Sequence, residues 1–213
     1  MRQSFAAALM AALVIATPAG ARVRDPLVVR SAAEKLDVRW QAAGPVDVYV
    51  ADRAETPLSA ARLVSGADAD GRADVATAPY ARVYVLLRDR ADRSVVEAAE
   101  RLLPLQQGSN FRDVGGYPAA GGKTVRWGLI YRSGASPMLT DADLAQVRAL
   151  ALRNLVDLRS DEERQLAPTK IDQVAYNAWG YSMAAMMPAG TPLKNGGALY
   201  RNFPTFFAPQ LRI

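Results

Sequence analysis

The most constraining feature of this sequence is a short apolar segment that runs directly into a helix-start pattern. Asn154 to Leu158 reads N-L-V-D-L, and Ser160-Asp161-Glu162-Glu163 follows after Arg159. A serine with a glutamate three residues later is the capping box that begins many helices, and the apolar run is typical of a buried parallel strand. We therefore predict a strand–helix unit with Asp157 and Arg159 at the carboxyl end of the strand, where open α/β sheets bind ligands.

The residues before this unit predict a helix and a further strand. Thr140 is a candidate N-cap, with Asp141 and Asp143 in the first helical turn. Helical spacing then links four apolar residues, Leu144, Val147, Leu150 and Ala151. Residues 123–131 predict a strand that follows a turn at paired glycines. Together with the strand–helix unit, these segments predict an α/β domain over residues 106–213.

The first half of the chain has the alternating pattern of β-strands. Leu36 to Trp40 and Val46 to Val50 alternate apolar and polar residues, and Ala81 to Leu87 predicts another strand. Gly44-Pro45 and Asp68 to Gly71 are turn sequences. Short strands separated by turns predict a small all-β, sandwich-like domain over residues 22–105. Its role is open between a binding module and a structural appendage of the second domain.

The N-terminus has the pattern of a secretory signal peptide over residues 1–21. Arg2 supplies the positive charge, Phe5 to Ala16 is apolar, and Ala19-Gly20-Ala21 is a cleavage site of the A-x-A kind. We expect export, with a periplasmic or secreted mature chain after cleavage near Ala21. The alternative is an uncleaved N-terminal anchor. No later apolar segment approaches the roughly 20 residues of a membrane helix, so we expect no membrane span in the mature chain.

Composition excludes several classes of chemistry. The 213 residues contain no cysteine and no histidine. Disulfides, a lipid-anchored cysteine, a histidine nucleophile and a histidine-based metal site are therefore excluded, and no acidic cluster has metal-ligand spacing. We expect neither a metal nor a cofactor. The net charge of +5 comes without a Lys/Arg run interleaved with aromatic residues, so we expect no nucleic-acid partner.

Three spaced motifs contain the candidate site residues. The first is Asn110 to Tyr117, N-F-R-D-V-G-G-Y, whose paired glycines allow a positive φ and close backbone approach. Its Arg112 and Asp113 could lock a loop as an ion pair, or Arg112 could face an anion. The second is Tyr131-Arg132-Ser133-Gly134, and the third is Asp157 to Ser160, with Glu163 behind it. Each arginine is a planar fork suited to phosphate or carboxylate, or else a surface ion-pair residue.

In this order, the three motifs resemble the bacterial secreted tyrosine and dual-specificity protein phosphatases. The resemblance covers about half of the chain, from Ser109 onward. It implies an α/β phosphatase-like domain whose ligand is a phosphorylated protein or a phosphoinositide. It also implies six substrate-binding candidates: Asn110, Arg112, Asp113, Arg132, Asp157 and Arg159.

The resemblance also shows what this sequence lacks. Those enzymes attack phosphate with the cysteine of a Cys-x5-Arg loop, and this chain has no cysteine. We expect the α/β domain to be incomplete, because Phe203, Phe206, Phe207 and Leu211 predict a helix that stops in mid-pattern at Ile213. The chain would then be the N-terminal portion of a phosphatase, inactive as given. The alternatives are a pseudophosphatase that binds phosphorylated ligands, or a chain whose β-sandwich is the working part.

Overall fold

The computed structural model describes residues 23–178, 180–182, 201, 204–205 and 207–208. The chain forms two compact units. The first contains residues 23–77 and 82–99, and the second contains residues 78–81 and the described residues from 100 onward. The predicted signal peptide lies outside the described residues. Most of the regular structure consists of short β-strands in small sheets, and the helices are few.

Seven antiparallel strands form two sheets in the first unit. One sheet has the order β1-β2-β5 and the other has the order β4-β3-β6-β7. The strands are β1 (Arg24–Ala32), β2 (Lys35–Gln41), β3 (Val46–Ala51), β4 (Arg62–Asp68), β5 (Arg72–Ala76), β6 (Tyr84–Asp89) and β7 (Val95–Ala99). One apolar core joins Leu36 and Val75 of the first sheet to Val48 and Leu87 of the second. The first unit is therefore a small β-sandwich.

Strand β2 shows how the alternating sequence builds this sandwich. Leu36 and Val38 are completely buried, whereas Lys35 and Arg39 on the opposite face are exposed. Lys35 Nζ lies 2.8 Å from an Asp74 carboxylate oxygen on β5. Alternate side chains of a strand point to opposite faces, so the apolar residues enter the core and the charged residues pair at the surface.

The second unit includes residues 100–105, which the sequence analysis assigned to the first domain. Leu103 is only 7% exposed and belongs to the apolar core of this unit, together with Phe111 and Val147. The Leu103 amide also donates a 3.0 Å hydrogen bond to the Phe111 carbonyl. Because these contacts join residues 100–105 to the second core, the segment belongs to that unit.

The described part of the second unit combines short strands with helices. Strands β8 (Arg112–Asp113) and β9 (Tyr131–Arg132) pair antiparallel, and β10 (Asn154–Asp157) and β11 (Ala175–Ala178) pair parallel. The helices are α1 (Asp141–Ala149) and α2 (Asp161–Leu166). Neither they nor any other described helix has the length and apolar character needed to cross a membrane.

Both predicted helix starts are confirmed, and both are capping boxes. The Thr140 hydroxyl accepts from the Asp143 amide at 3.2 Å, and Asp143 Oδ2 accepts from the Thr140 amide at 3.1 Å. The Ser160 hydroxyl accepts from the Glu163 amide at 3.2 Å, and Glu163 Oε2 accepts from the Ser160 amide at 2.9 Å. Helix α1 ends at Ala149, before Ala151, which has a left-handed φ of 52°.

One strand prediction for the second unit is wrong, and another is confirmed in its parallel pairing but wrong in its burial. Residues 123–131 do not form one strand, because a turn with Gly128 at φ 76° interrupts them and only Tyr131 joins β9. The β10 segment is a parallel strand but is not buried, since Val156 is 45% exposed and Leu158, just beyond it, is 48% exposed. Among the described residues β10 pairs only with β11, whereas parallel strands are usually covered on both faces.

The predicted C-terminal helix falls mostly outside the described residues. Phe203, Phe206 and Leu211 are not described, whereas Phe207 is 5% exposed. The Phe207 ring meets the Tyr181 ring edge-to-face, with 5.1 Å between centroids. This contact ties Phe207 to the chain segment that follows β11.

Candidate functional site

A cavity of about 690 Å³ opens within the second unit, beside the ends of β9 and β10. Three of the six predicted site residues line it: Arg132, Asp157 and Arg159. The other three, Asn110, Arg112 and Asp113, are not part of its lining. Apolar side chains share the wall, among them Phe111, Leu129, Ile130, Leu155 and Ile171. The cavity therefore combines an apolar wall with two arginines.

Arg132 is a cation of the cavity wall that has no partner in the described part of the chain. It lies on β9 and its side chain is exposed. Among the residues that the structure describes, its guanidinium has no hydrogen-bond or ion-pair partner. All five guanidinium N–H groups are therefore available to an anion that enters the cavity.

Arg159 is tied to Asp157 by a bidentate ion pair. Its Nε and Nη2 donate to the two carboxylate oxygens of Asp157 at 2.9 and 2.7 Å. Its Nη1 donates to the Ala167 carbonyl at 2.6 Å. Three of the five guanidinium N–H groups are thus engaged, which leaves two for a ligand. The Arg159 side chain is 19% exposed and that of Asp157 is 7% exposed, so solvent screens this pair only weakly.

Asp157 remains ionised in this setting. Burial alone would raise the pKa of its carboxyl, but hydrogen bonds from Arg159 and Tyr176 outweigh burial and hold the pKa below its ordinary value of 3.8. The Tyr176 hydroxyl on β11 donates to Asp157 Oδ2 at 2.8 Å. Burial and this hydrogen bond raise the pKa of Tyr176, so the phenol stays protonated. Sequence reasoning missed Tyr176, because its role depends on the parallel pairing of β10 with β11.

Glu163 also lines the cavity, yet its carboxylate is occupied by the helix start. Its Oε2 accepts the Ser160 amide in the capping box of α2. The capping-box role predicted from the sequence is therefore confirmed.

Asp113 is not part of the cavity lining, and it locks a loop. It is 1% exposed, its Oδ1 accepts the Gly115 amide at 2.7 Å, and its Oδ2 accepts the Gly128 amide at 2.8 Å. The anticipated Arg112–Asp113 ion pair is absent from the described residues, since Arg112 is exposed and neighbouring strand residues point to opposite faces. Both oxygens of Asp113 are therefore committed to backbone amides.

The paired glycines of the first motif make room for an indole. A Cβ on Gly115 would lie 2.5 Å from Trp127 Cα, and one on Gly116 would overlap the Trp127 ring. Gly116 also has φ 75°, a conformation that glycine adopts without strain. The motif thus serves the packing of Trp127, which is only 7% exposed.

Arg101 completes this loop, and sequence reasoning missed it. Its Nη1 donates to the Asp113 carbonyl at 2.8 Å and its Nη2 to the Gly115 carbonyl at 2.9 Å. The guanidinium carbon lies 4.1 Å from the centroid of the Tyr117 ring and 4.8 Å from that of Trp127. A lone arginine between strands gives no sequence signal for contacts with partners 12 or more residues away.

Asn110 and Arg112 lie next to this loop. Asn110 has a left-handed φ of 56°, and its buried Oδ1 accepts no hydrogen bond from the residues described. Asparagine is one of the few residues that adopts this conformation readily. Arg112 is paired in register with Arg132 across β8 and β9, which places the two side chains on one face of the sheet.

No group of three or more acidic side chains that could hold a metal ion occurs in the described part of the chain.

Comparison with known proteins finds similarity in the part of the chain that contains the cavity. Residues 103–207 match the family model described as the tyrosine phosphatase family. That segment contains all six predicted site residues and every residue of the cavity wall.

A protein of Cupriavidus necator, whose name places it among tyrosine-protein phosphatases, is 46% identical to this chain over 56 residues. The alignment covers 26% of this chain and 20% of that protein. The chain thus matches about a fifth of the length of this relative.

Proposed function

We propose, from the premise that residues 103–207 carry the sequence pattern of the tyrosine phosphatase family, that the second unit binds phosphate monoesters in its cavity. The observation that carries this proposal is Arg132, which is exposed on the cavity wall and has no partner among the described residues. A guanidinium matches the geometry of phosphate oxygens and forms short, charge-assisted hydrogen bonds with them. The apolar wall offers a surface for the organic group that bears the phosphate.

Arg159 is the second anion-binding group in this proposal. Asp157 and Ala167 fix its guanidinium and leave two N–H groups free. A donor held in place by packing and ion pairing loses little conformational entropy when it meets a ligand. Arg132 would supply most of the charge that attracts the phosphate, and Arg159 would fix its orientation.

We propose binding without turnover for the 213 residues as given. The phosphocysteine route that the resemblance implies needs a thiolate nucleophile, and the sequence contains no cysteine. The absence of histidine removes a second residue type that can accept a phosphoryl group. The chain would then act as a phospho-ligand-binding module or as part of a larger phosphatase. The intact mass of the protein from its natural source separates these two cases.

A phosphorylated protein is the proposed partner, because tyrosine phosphatases act on phosphoproteins. A phosphoinositide is the alternative ligand. Export through residues 1–21 also stays a prediction, and N-terminal sequencing of the protein recovered from separated cell fractions tests it.

The experiment is calorimetric titration of phosphotyrosine into the chain and into Arg132→Gln. We expect loss of one charge-assisted contact to weaken binding by about tenfold. Arg153→Gln is the matched control, since Arg153 is exposed, outside the cavity wall, and carries the same charge. Equal affinities of the chain and Arg132→Gln would refute the proposal. Release of p-nitrophenol from its phosphate ester above the buffer rate would refute binding without turnover.

A further inference from the structure

Two arginines lie directly opposite each other on the surface of the second unit. Arg112 of β8 is paired in register with Arg132 of β9, and both side chains are exposed. Among the described residues, neither guanidinium has an acidic partner. Directly opposed residues of antiparallel strands have Cβ atoms about 4.5–5.5 Å apart, and like charges in this position repel each other. An anion between or beside them would relieve this repulsion.

The pair spans the rim of the cavity. Arg132 belongs to the cavity wall, whereas Arg112 does not. A bridge pairs Arg112 on its other side with Leu102, which is 54% exposed. Three side chains therefore form a row on one face of the strands, in the order Leu102, Arg112 and Arg132. Leu102 is the apolar end of this row, and Arg132 is the end that lines the cavity.

We propose that Arg112 forms a second anion position at this rim, and that the ligand is a phosphopeptide with an acidic residue next to its phosphorylated residue. This inference rests on the proposed function, in which Arg132 meets the phosphate. Successive residues of an extended peptide are about 3.3 Å apart. A carboxylate one or two residues from the phosphorylated residue can therefore reach across the short distance between the two arginines.

The surface fits a peptide better than a membrane. Segments that bind anionic lipid surfaces usually present about four to eight basic residues, whereas this row contains two arginines. The exposed Leu102 beside Arg112 offers an apolar contact to a neighbouring peptide side chain.

The test uses two phosphotyrosine peptides. One has a glutamate on each side of the phosphotyrosine, and the other has a glutamine at both of these positions. We expect the full chain to bind the glutamate peptide about fivefold more tightly, the effect of one exposed ion pair. Arg112→Gln should abolish this difference. Arg153→Gln, the control of equal charge, should retain the difference.

Other outcomes overturn the inference in distinguishable ways. If Arg112→Gln weakens both peptides by the same factor, the two arginines clamp a single phosphate and no second anion position exists. If the full chain binds both peptides equally, Arg112 makes no contact with the flanking residue. Tighter binding to vesicles that contain phosphoinositide than to either peptide would replace the peptide by a lipid surface. If neither peptide binds, the proposed function itself fails.

Discussion

Replacement of Asp113 by asparagine tests whether the first motif is a loop lock or a ligand contact. In the structure each oxygen of this buried carboxylate accepts a backbone N–H, from Gly115 at 2.7 Å and from Gly128 at 2.8 Å. An asparagine keeps one accepting oxygen and replaces the other with an NH₂ group that cannot accept. One backbone amide therefore loses its partner in a site that is 1% exposed.

The size of the effect follows from this count. A hydrogen bond to a charged group contributes about 1.5–3 kcal/mol, and a buried group left unsatisfied adds a further cost. We expect Asp113→Asn to lower the local free energy of unfolding by about 2–4 kcal/mol. A free-energy change of about 1.4 kcal/mol corresponds to a tenfold change in the equilibrium constant for local opening. Amide exchange in residues 113–128 should therefore become about 30- to 1,000-fold faster.

Hydrogen exchange followed by mass spectrometry is the suitable assay, because it reads this segment separately from the β-sandwich. Asp141→Asn is the control, since it removes the same charge from an exposed position at the start of α1. It should leave exchange in residues 113–128 unchanged. Unchanged exchange in Asp113→Asn, together with weaker phosphotyrosine binding, would refute the loop-lock role and favour a ligand contact.

Gly116→Ala should destabilise the second unit by about 1–3 kcal/mol more than Gly121→Ala, in urea titrations. Both glycines have a positive φ, but only at Gly116 does an added Cβ meet Trp127, so equal losses would contradict the packing role. Ser160→Ala should lower the free energy of unfolding by about 1 kcal/mol, because α2 loses its N-cap. An unchanged urea midpoint would contradict the capping role of Ser160. The pKa of the Asp157 carboxyl is lower in the folded protein than in the unfolded chain. Its ionised form therefore stabilises the fold above about pH 4, and this stabilisation is lost as the pH falls. Between pH 6 and pH 2.5, the urea midpoint of Asp157→Asn should therefore fall less steeply than that of the unsubstituted chain. Equal slopes would show that the ion pair between Asp157 and Arg159 contributes nothing to stability.

Local elements were the easiest part to predict from the sequence. The two capping boxes, at Thr140 and Ser160, depend on contacts between residues three positions apart. Such contacts form as soon as the helix begins, so the sequence pattern is sufficient to locate them. The same reasoning placed Asp157 and Arg159 at the end of β10, and both line the cavity.

Long-range contacts could not be predicted in this way. Asp113 was a substrate-binding candidate, but its Oδ2 accepts an amide 15 residues away. Trp127 packs on paired glycines of a different segment, so the turn around it replaced the expected strand. The exposure of Val156 likewise depends on which elements cover β10 and not on its own apolar sequence.

The sequence by itself determined the absence of a thiol nucleophile, the positions of the helix starts and the match of residues 103–207 to the tyrosine phosphatase family model. Only the tertiary structure decided what each arginine can do. Arg132 and Arg159 are the same residue type, yet Arg159 is bound to Asp157 and Ala167, whereas Arg132 lines the cavity with no partner among the described residues. The physical reason is that the electrostatic role of a charged side chain depends on burial and on neighbours that the chain brings together only when it folds.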